Sequence, residues 1–265
     1  IPQPGGTDVT IPLQDFDHSS KSLGVYSSPS NSGVGQVDAI KEKGLTWAAK
    51  ASSSPLRPRE VWHSLTLQLY PSMFFGSNCI SADPQYLDDA IHSVYYQSLS
   101  SLGVNRHITR AFRTLPARYQ GLGLREPNLE VLSAKICVLH RHFGEDTNDG
   151  ALSRVVFETF QMDCGLSGNF LQLDYEKYGF LAQHSWWSHL WRLLSMYGVT
   201  LQLFSECYYP LPRKHDVGLM NILVERGVFT PAELIRINRV RHFKGILVLS
   251  ELTHCDGITL RRECL

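Results

Sequence analysis

Tyr86-Leu87-Asp88-Asp89 is the group of residues whose types and spacing could most directly do chemistry. Adjacent carboxylates can hold Mg²⁺ ions that orient the attacking and leaving oxygens of a phosphoryl transfer. That geometry needs the pair on a tight hairpin between two apolar strands, with another Asp on a neighbouring strand. The flanking residues point elsewhere. Asp83-Pro84 is a helix start, with Asp as the cap and Pro in the first helical position. Leu87, Ile91, Val94, Tyr95 and Leu99 then keep helical spacing as far as Gly103. On such a helix Asp88 and Asp89 simply favour its positive N-terminus. The chain is expected to have no polymerase or metal-dependent phosphoryl-transfer activity of its own.

Other possible centres are weaker. Gly121-Leu122-Gly123 lacks the third Gly and the Lys-Ser/Thr of phosphate-binding loops, and reads as a tight turn. His140 and His142 fall on nearly opposite faces of a helix. His254 and Cys255 lie near Cys264, but no second pair completes a zinc site. His184 and His189 flank Trp186, Trp187 and Trp191, an aromatic group that reads as core, with a base-stacking platform as the alternative. There is no Ser/His/Asp order and no nucleophile elbow. No metal or cofactor is expected in this chain.

The basic residues say more. Between Asp89 and Glu126 there is no acidic residue, yet Arg106, Arg110, Arg113, Arg118 and Arg125 all fall there. A phosphate backbone would supply the missing counter-charge. The alternative is pairing with Asp or Glu from elsewhere in the fold. Arg236, Arg239, Arg241 and Lys244 form a second cluster on a helix whose inner face is expected to be Leu234, Ile237 and Val240. A solvated helix face explains that cluster equally well.

Composition sets wide bounds. The chain has 265 residues, 43% hydrophobic and 19% charged, with zero formal net charge, enough for one large domain or two smaller ones. Global charge therefore gives no sign of a nucleic-acid partner. The six cysteines are scattered and make no CxxC, which reads as free thiols in a reducing, intracellular compartment. No apolar run approaches a membrane span. The first residues do not resemble a signal peptide, and with no initiator Met the chain is expected to begin inside a longer reading frame.

The elements that must position these residues are mostly helices. Val9, Ile11 and Leu13 alternate as in a half-buried strand, and Leu23 to Tyr26 is a second strand candidate. Val37, Ile40, Leu45 and Trp47 predict a helix with Lys41, Glu42, Lys43 and Lys50 on its other face. Pro58 opens another helix, expected to run to Pro71. After the irregular, basic stretch 104–126, Leu129, Leu132, Ile136, Leu139 and Phe143 recur as one buried face. Further helices are predicted at about 150–163, 183–197, 215–226 and 231–244, the last with a Thr230/Glu233 capping box. Val199 to Phe204 and Ile246 to Leu249 are possible strands.

Four short anchors together resemble a family. Lys21-Ser22-Leu23-Gly24-Val25 resembles the Lys-x-Leu-Gly strand that follows the catalytic box in non-LTR-type reverse transcriptases, near the primer grip. Helices carrying Trp47 and Trp62, then Tyr70-Pro71, fit the next stretch. Leu102-Gly103-Val104-Asn105-Arg106, Thr109-Arg110 and Tyr119-Gln120-Gly121-Leu122-Gly123-Leu124 are similar to a stretch downstream of the polymerase core in many retrotransposon-encoded proteins. Residues Arg236 to Arg241, and later Asp256-Gly257, are similar to that group's far C-terminal segment. Thr109 replaces the usual Pro, and Gln120 stands where a first Gly is common. The family's Mg²⁺-binding Asp residues have no matching positions, although Tyr86 to Asp89 matches its Tyr-x-Asp-Asp box by letters alone.

The resemblance implies a mainly α chain. Residues 1–33 would be palm-end strands, a small β remnant. Residues 34–125 would be thumb-like helices, and 126–265 a helical C-terminal region. Its role would be to hold an RNA–DNA or DNA duplex, beside the palm and fingers of the same polypeptide, by contacts that set position without reading sequence. Arg106, Arg110, Arg113 and Arg118 are the expected phosphate contacts, with Lys41, Lys43 and Lys50 as further candidates. A helical module that docks an acidic protein is the alternative.

Overall fold

The computed structural model describes residues 14–203, 211–256 and 258–262. It is mainly helical with one small N-terminal sheet, and the chain divides into two compact units at Phe112/Arg113. The strand expected around Val9, Ile11 and Leu13 lies outside the described residues.

In the first unit, β1 (Ser20–Ser22) and β2 (Val25–Ser27) pair antiparallel, with Ser22 opposite Val25. Leu23 (φ 49°) and Gly24 (φ 87°) are both left-handed, as a two-residue hairpin turn between twisted strands requires. Leu23-Gly24 is therefore the turn, and the expected strand begins only at Val25. The Tyr26 backbone N–H donates to Gln36 Oε1 at 2.8 Å and ties the hairpin to α1 (Val34–Ser53).

The next helix has a built-in irregularity. α2 (Pro58–Ser64) runs into a π-helical segment, Leu65–Leu69, and then α3 (Tyr70–Met73). Pro71 does not stop the helix, as expected, but sits in the first turn of α3. Proline lacks a donor and clashes with the carbonyl four residues back. The wider π turn, with Tyr70 N–H donating to the Leu65 carbonyl, relieves that conflict. The predicted helix at 83 follows as α4 (Pro84–Ser98), with Asp83 accepting from Gln85 N–H. Leu87, Ile91, Val94 and Tyr95 are buried as their spacing required. α1 packs on α4 at Gly44, where an added Cβ would lie 2.6 Å from Val94 Cγ2.

α5 (Arg110–Thr114) spans the boundary between the units. Beyond it the chain makes a 3-10 turn at Ala117–Tyr119 and a tight reversal, in which Gly121 N–H donates to the Pro116 carbonyl and Gly123 N–H to that of Leu115. A Cβ on Gly121 would fall 2.0 Å from the Leu115 oxygen, so this position requires glycine. Gln120 holds φ 65°, the conformation that β-carbon sterics disfavour. Gln120→Gly is expected to raise stability by about 0.5–1 kcal/mol, the relieved strain less the added chain entropy. Urea unfolding measures this, and a lower midpoint would contradict it.

The second unit is built on α6 (Pro127–His142), α7 (Asn148–Cys164), the short α8 (Tyr175–Tyr178) and α9 (Trp186–Tyr197). Phe143, Phe157, Phe170, Trp187 and Trp191 form its centre, with Phe157 and Trp187 rings 4.7 Å apart. Trp187 and Trp191 are thus core, while Trp186 covers a lysine. That lysine, Lys135, is fully buried on α6, its ammonium 4.4 Å from the centre of the Trp186 ring. Leu132, Leu139 and Phe143 are buried as their spacing required, and Val131 and Lys135 join them, whereas Leu129 is exposed.

α10 (Leu219–Arg226), α11 (Pro231–Phe243) and α12 (Leu249–Leu252) complete the unit. The Thr230/Glu233 capping box forms as expected, with Thr230 N–H donating to Glu233 Oε2 at 2.8 Å. Residues 199–203 are not a strand, and Ile246 to Leu249 contributes only an isolated bridge, Gly218 to Val248. The inner face of α11 is Leu234, Asn238 and Arg241; Val240, expected inside, is 62% exposed. No helix among the described residues is long and apolar enough to cross a membrane.

Candidate nucleic-acid interface

The arginines of the acid-free stretch have different fates. Arg106 and Arg110 belong to the first unit, Arg113 and Arg118 to the second. Arg106 is exposed and donates from Nε to Ser100 Oγ at 2.8 Å. Arg110 is ion-paired to Asp88 and, at 3.4 Å, to Asp89. The hydrogen bond that it donates to Asp88 holds its guanidinium pKa above the ordinary value. The counter-charge missing from the local sequence thus comes from the preceding helix. Arg113 is half-buried, its main-chain carbonyl accepting from Leu124. Arg118 is exposed and stands 4.8 Å over the ring of Tyr119. Arg125 pairs with Glu130 at 3.0 Å.

The Asp pair that resembled a metal-binding box is helical and committed to structure. Asp88 accepts from Arg110 and from His92 Nε2, at 3.1 Å, and Asp89 accepts from Arg110 and from Gln85. Tyr86 hydroxyl donates to Asp38 on α1, and that hydrogen bond raises the phenol pKa. These contacts staple the start of α4 to its neighbours.

The lysines of α1 make a more open arrangement. Lys43 and Lys50 face a cleft of about 520 Å³, to which the hairpin adds Lys21 and Tyr26. Gln36, Trp47, Gln68 and Ser72 complete its working surface. Three lysines line it against one carboxylate, Glu42. Lys21, Lys43 and Lys50 are all exposed, and none has a carboxylate partner among the described residues. Lys43 donates to the Ser72 carbonyl at 3.1 Å, and Lys21 stands 5.7 Å from the Tyr26 ring. Lys41 is half-buried and does not line this cleft.

Local folding explains this convergence. Lys43 and Lys50 are seven residues apart, two helical turns on one face, about 10 Å along the axis. The side-chain amide of Gln36, one turn before Ala39 and two before Lys43, anchors β2 to the same helix. Trp47 is fixed between the lysines by its Nε1–H bond to Ser64 Oγ, at 2.9 Å. A single phosphate would not span the two ammoniums, whereas successive phosphates of a strand can. Lys21 is not among the phosphate contacts expected from the sequence, because nothing local links residue 21 to residues 43 and 50; the Lys-x-Leu-Gly anchor that contains it is the available signal.

Arginines also act as internal caps in the second unit. Arg154 donates to the Phe143 and Glu145 carbonyls, at 3.1 and 3.2 Å, beyond the last turn of α6. Arg241 is 3% exposed and donates to the carbonyls of Met162, Asp163 and Ile246 and to Asn238 Oδ1. Burial lowers its pKa to about 10, which leaves it protonated at neutral pH. Arg241 is therefore removed from the outward basic cluster of α11. Comparisons with family models, with curated proteins and with solved structures yield no match for this chain.

Proposed function

We propose that this chain is the part of a retroelement RNA-directed DNA polymerase that follows the catalytic palm, and that it holds the primer–template duplex by phosphate contacts. The observation that carries the reading is the lysine cleft between the hairpin and α1. Lys21, Lys43 and Lys50 offer flexible point charges in a groove with one opposing carboxylate, suited to a polyanion whose register varies. Such contacts position a duplex without reading its sequence. Arg106 and Arg118, both exposed, would add to the same role from their own units. Chemistry is left to the palm and fingers of the same polypeptide, within the cell.

The test is competition. The full chain is titrated with an RNA–DNA hybrid, then challenged with duplex DNA and with a polyglutamate peptide of equal charge. Displacement by duplex at concentrations where the peptide has no effect is the expected result. Equal displacement by the peptide would replace the nucleic-acid reading with that of a module docking an acidic protein.

A further inference from the structure

A small polar cleft of about 260 Å³ lies in the second unit, between the end of α7, the 3-10 turn at Gly179–Leu181 and α11. Its geometry follows from the cap on α7. Asn238 and Arg241 both donate to the Asp163 carbonyl, at 2.7 and 3.3 Å, and so fix the last turn of α7 against α11. The Asp163 carboxylate then lies beside His242, whose Nε2 is 3.0 Å from Oδ1. Oδ2 has no hydrogen-bond partner among the described residues. Arg239 lines the same cleft, exposed and in no ion pair among the described residues. It leaves α11 three residues before His242, about 4.5 Å along the axis. An acid and a base thus share one cavity without neutralising each other. Buried Leu181 and half-buried Phe180 and Ile235 add an apolar wall, and Gln183 adds an amide. A phosphate backbone suits this cleft poorly, because Asp163 opposes it. The volume also falls below the about 300 Å³ at which pockets for drug-sized ligands begin.

We propose that this cleft binds a free α-amino acid with an apolar side chain. The ligand's ammonium donates to Asp163 Oδ2, its carboxylate accepts from the Arg239 guanidinium, and its side chain lies against Phe180 and Ile235. Two charge-assisted contacts of opposite sign fix the direction of the ligand, and the side chain contributes burial. A molecule with only one of the two charges leaves either Asp163 or Arg239 unanswered, so the site discriminates against simple acids and simple amines alike. This inference stands independently of the proposed role of the lysine cleft.

Isothermal titration of the full chain tests it with four probes: L-leucine, L-leucinamide, N-acetyl-L-leucine and inorganic phosphate. Leucine is expected to bind saturably with Kd below about 1 mM. Leucinamide lacks the carboxylate and acetyl-leucine the ammonium, and each should bind at least about tenfold more weakly. Phosphate should not displace leucine. Arg239→Gln, at an exposed position, should weaken leucine by about tenfold or more, with the urea midpoint unchanged. In that variant leucine and leucinamide should bind equally, because the group that told them apart is gone. Arg236→Gln, on the same helix but outside the cleft, should bind leucine as the wild type does. No saturable leucine binding, equal binding of leucinamide or acetyl-leucine by the wild type, or an Arg239→Gln protein with wild-type affinity would overturn the proposal. So would displacement of leucine by phosphate, because the cleft would then be a site for simple anions.

Discussion

Replacing Arg241 with methionine is expected to destabilise the second unit by about 3–5 kcal/mol, although no bound molecule is affected. The last carbonyls of a helix have no partners within it. At the end of α7, Arg241 supplies donors to Met162 and Asp163, and with its other amino group it holds the Ile246 carbonyl after α11. Methionine fills much of the volume but donates nothing. Each buried acceptor left unsatisfied costs about 1–3 kcal/mol. Asn238, which donates to the Asp163 carbonyl at 2.7 Å, limits the loss at one of them. Arg241→Lys should recover only part, since one ammonium cannot reproduce the planar fork that reaches both helix ends. Arg236→Ala and Arg239→Ala, at exposed positions on the same helix, should change stability by no more than about 0.5 kcal/mol. Urea unfolding followed by tryptophan fluorescence compares the four variants. An Arg241→Met midpoint equal to that of Arg236→Ala would refute the capping role.

The second large effect is on binding. In a chain carrying Lys21→Ala, Lys43→Ala and Lys50→Ala, the slope of log affinity against log salt for duplex should fall in magnitude by about 3, because each lysine that neutralises a phosphate releases condensed counterions. The loss should be the same for unrelated sequences, since no base edge is read. All three positions are exposed, so the fold is not at risk. Arg110→Ala is the informative comparison. Its guanidinium already answers Asp88 and Asp89, and its removal should change the slope by less than any single lysine does. It also frees those two carboxylates, so some loss of affinity through repulsion accompanies the small slope change. A triple-lysine variant with the wild-type slope would remove the cleft from the binding surface. An Arg110→Ala effect larger than that of all three lysines would return the interface to the acid-free stretch.

The reading of Asp88 and Asp89 shows why local order was accessible from the chain alone. Asp83-Pro84 and the apolar spacing after it are short-range features. A helix cap and a three- or four-residue period act within one or two turns, so α4 forms whatever its surroundings are. The same holds for the Thr230 capping box and for the turn at Gly121. The failures have local causes of a different kind. Leu23-Gly24 reads as strand because a turn with two left-handed residues is recognised by glycine, and only one is present. Pro71 reads as a stop because a π turn that accommodates proline has no signature in residue spacing.

What the sequence by itself determined is therefore a mainly helical chain, the positions of most of its helices, and the supply of cations without local partners. Only the tertiary structure decided what those cations do. A guanidinium is the same group whether it meets a phosphate, a carboxylate or a helix carbonyl, and its partner is chosen by contacts across long stretches of chain. Asp88 lies 22 residues from Arg110 and Met162 lies 79 from Arg241. Lys21, on a hairpin, reaches the same cleft as Lys50, 29 residues later on α1. Periodicity carries information over a few residues, and pairing of this kind is fixed only when the elements pack.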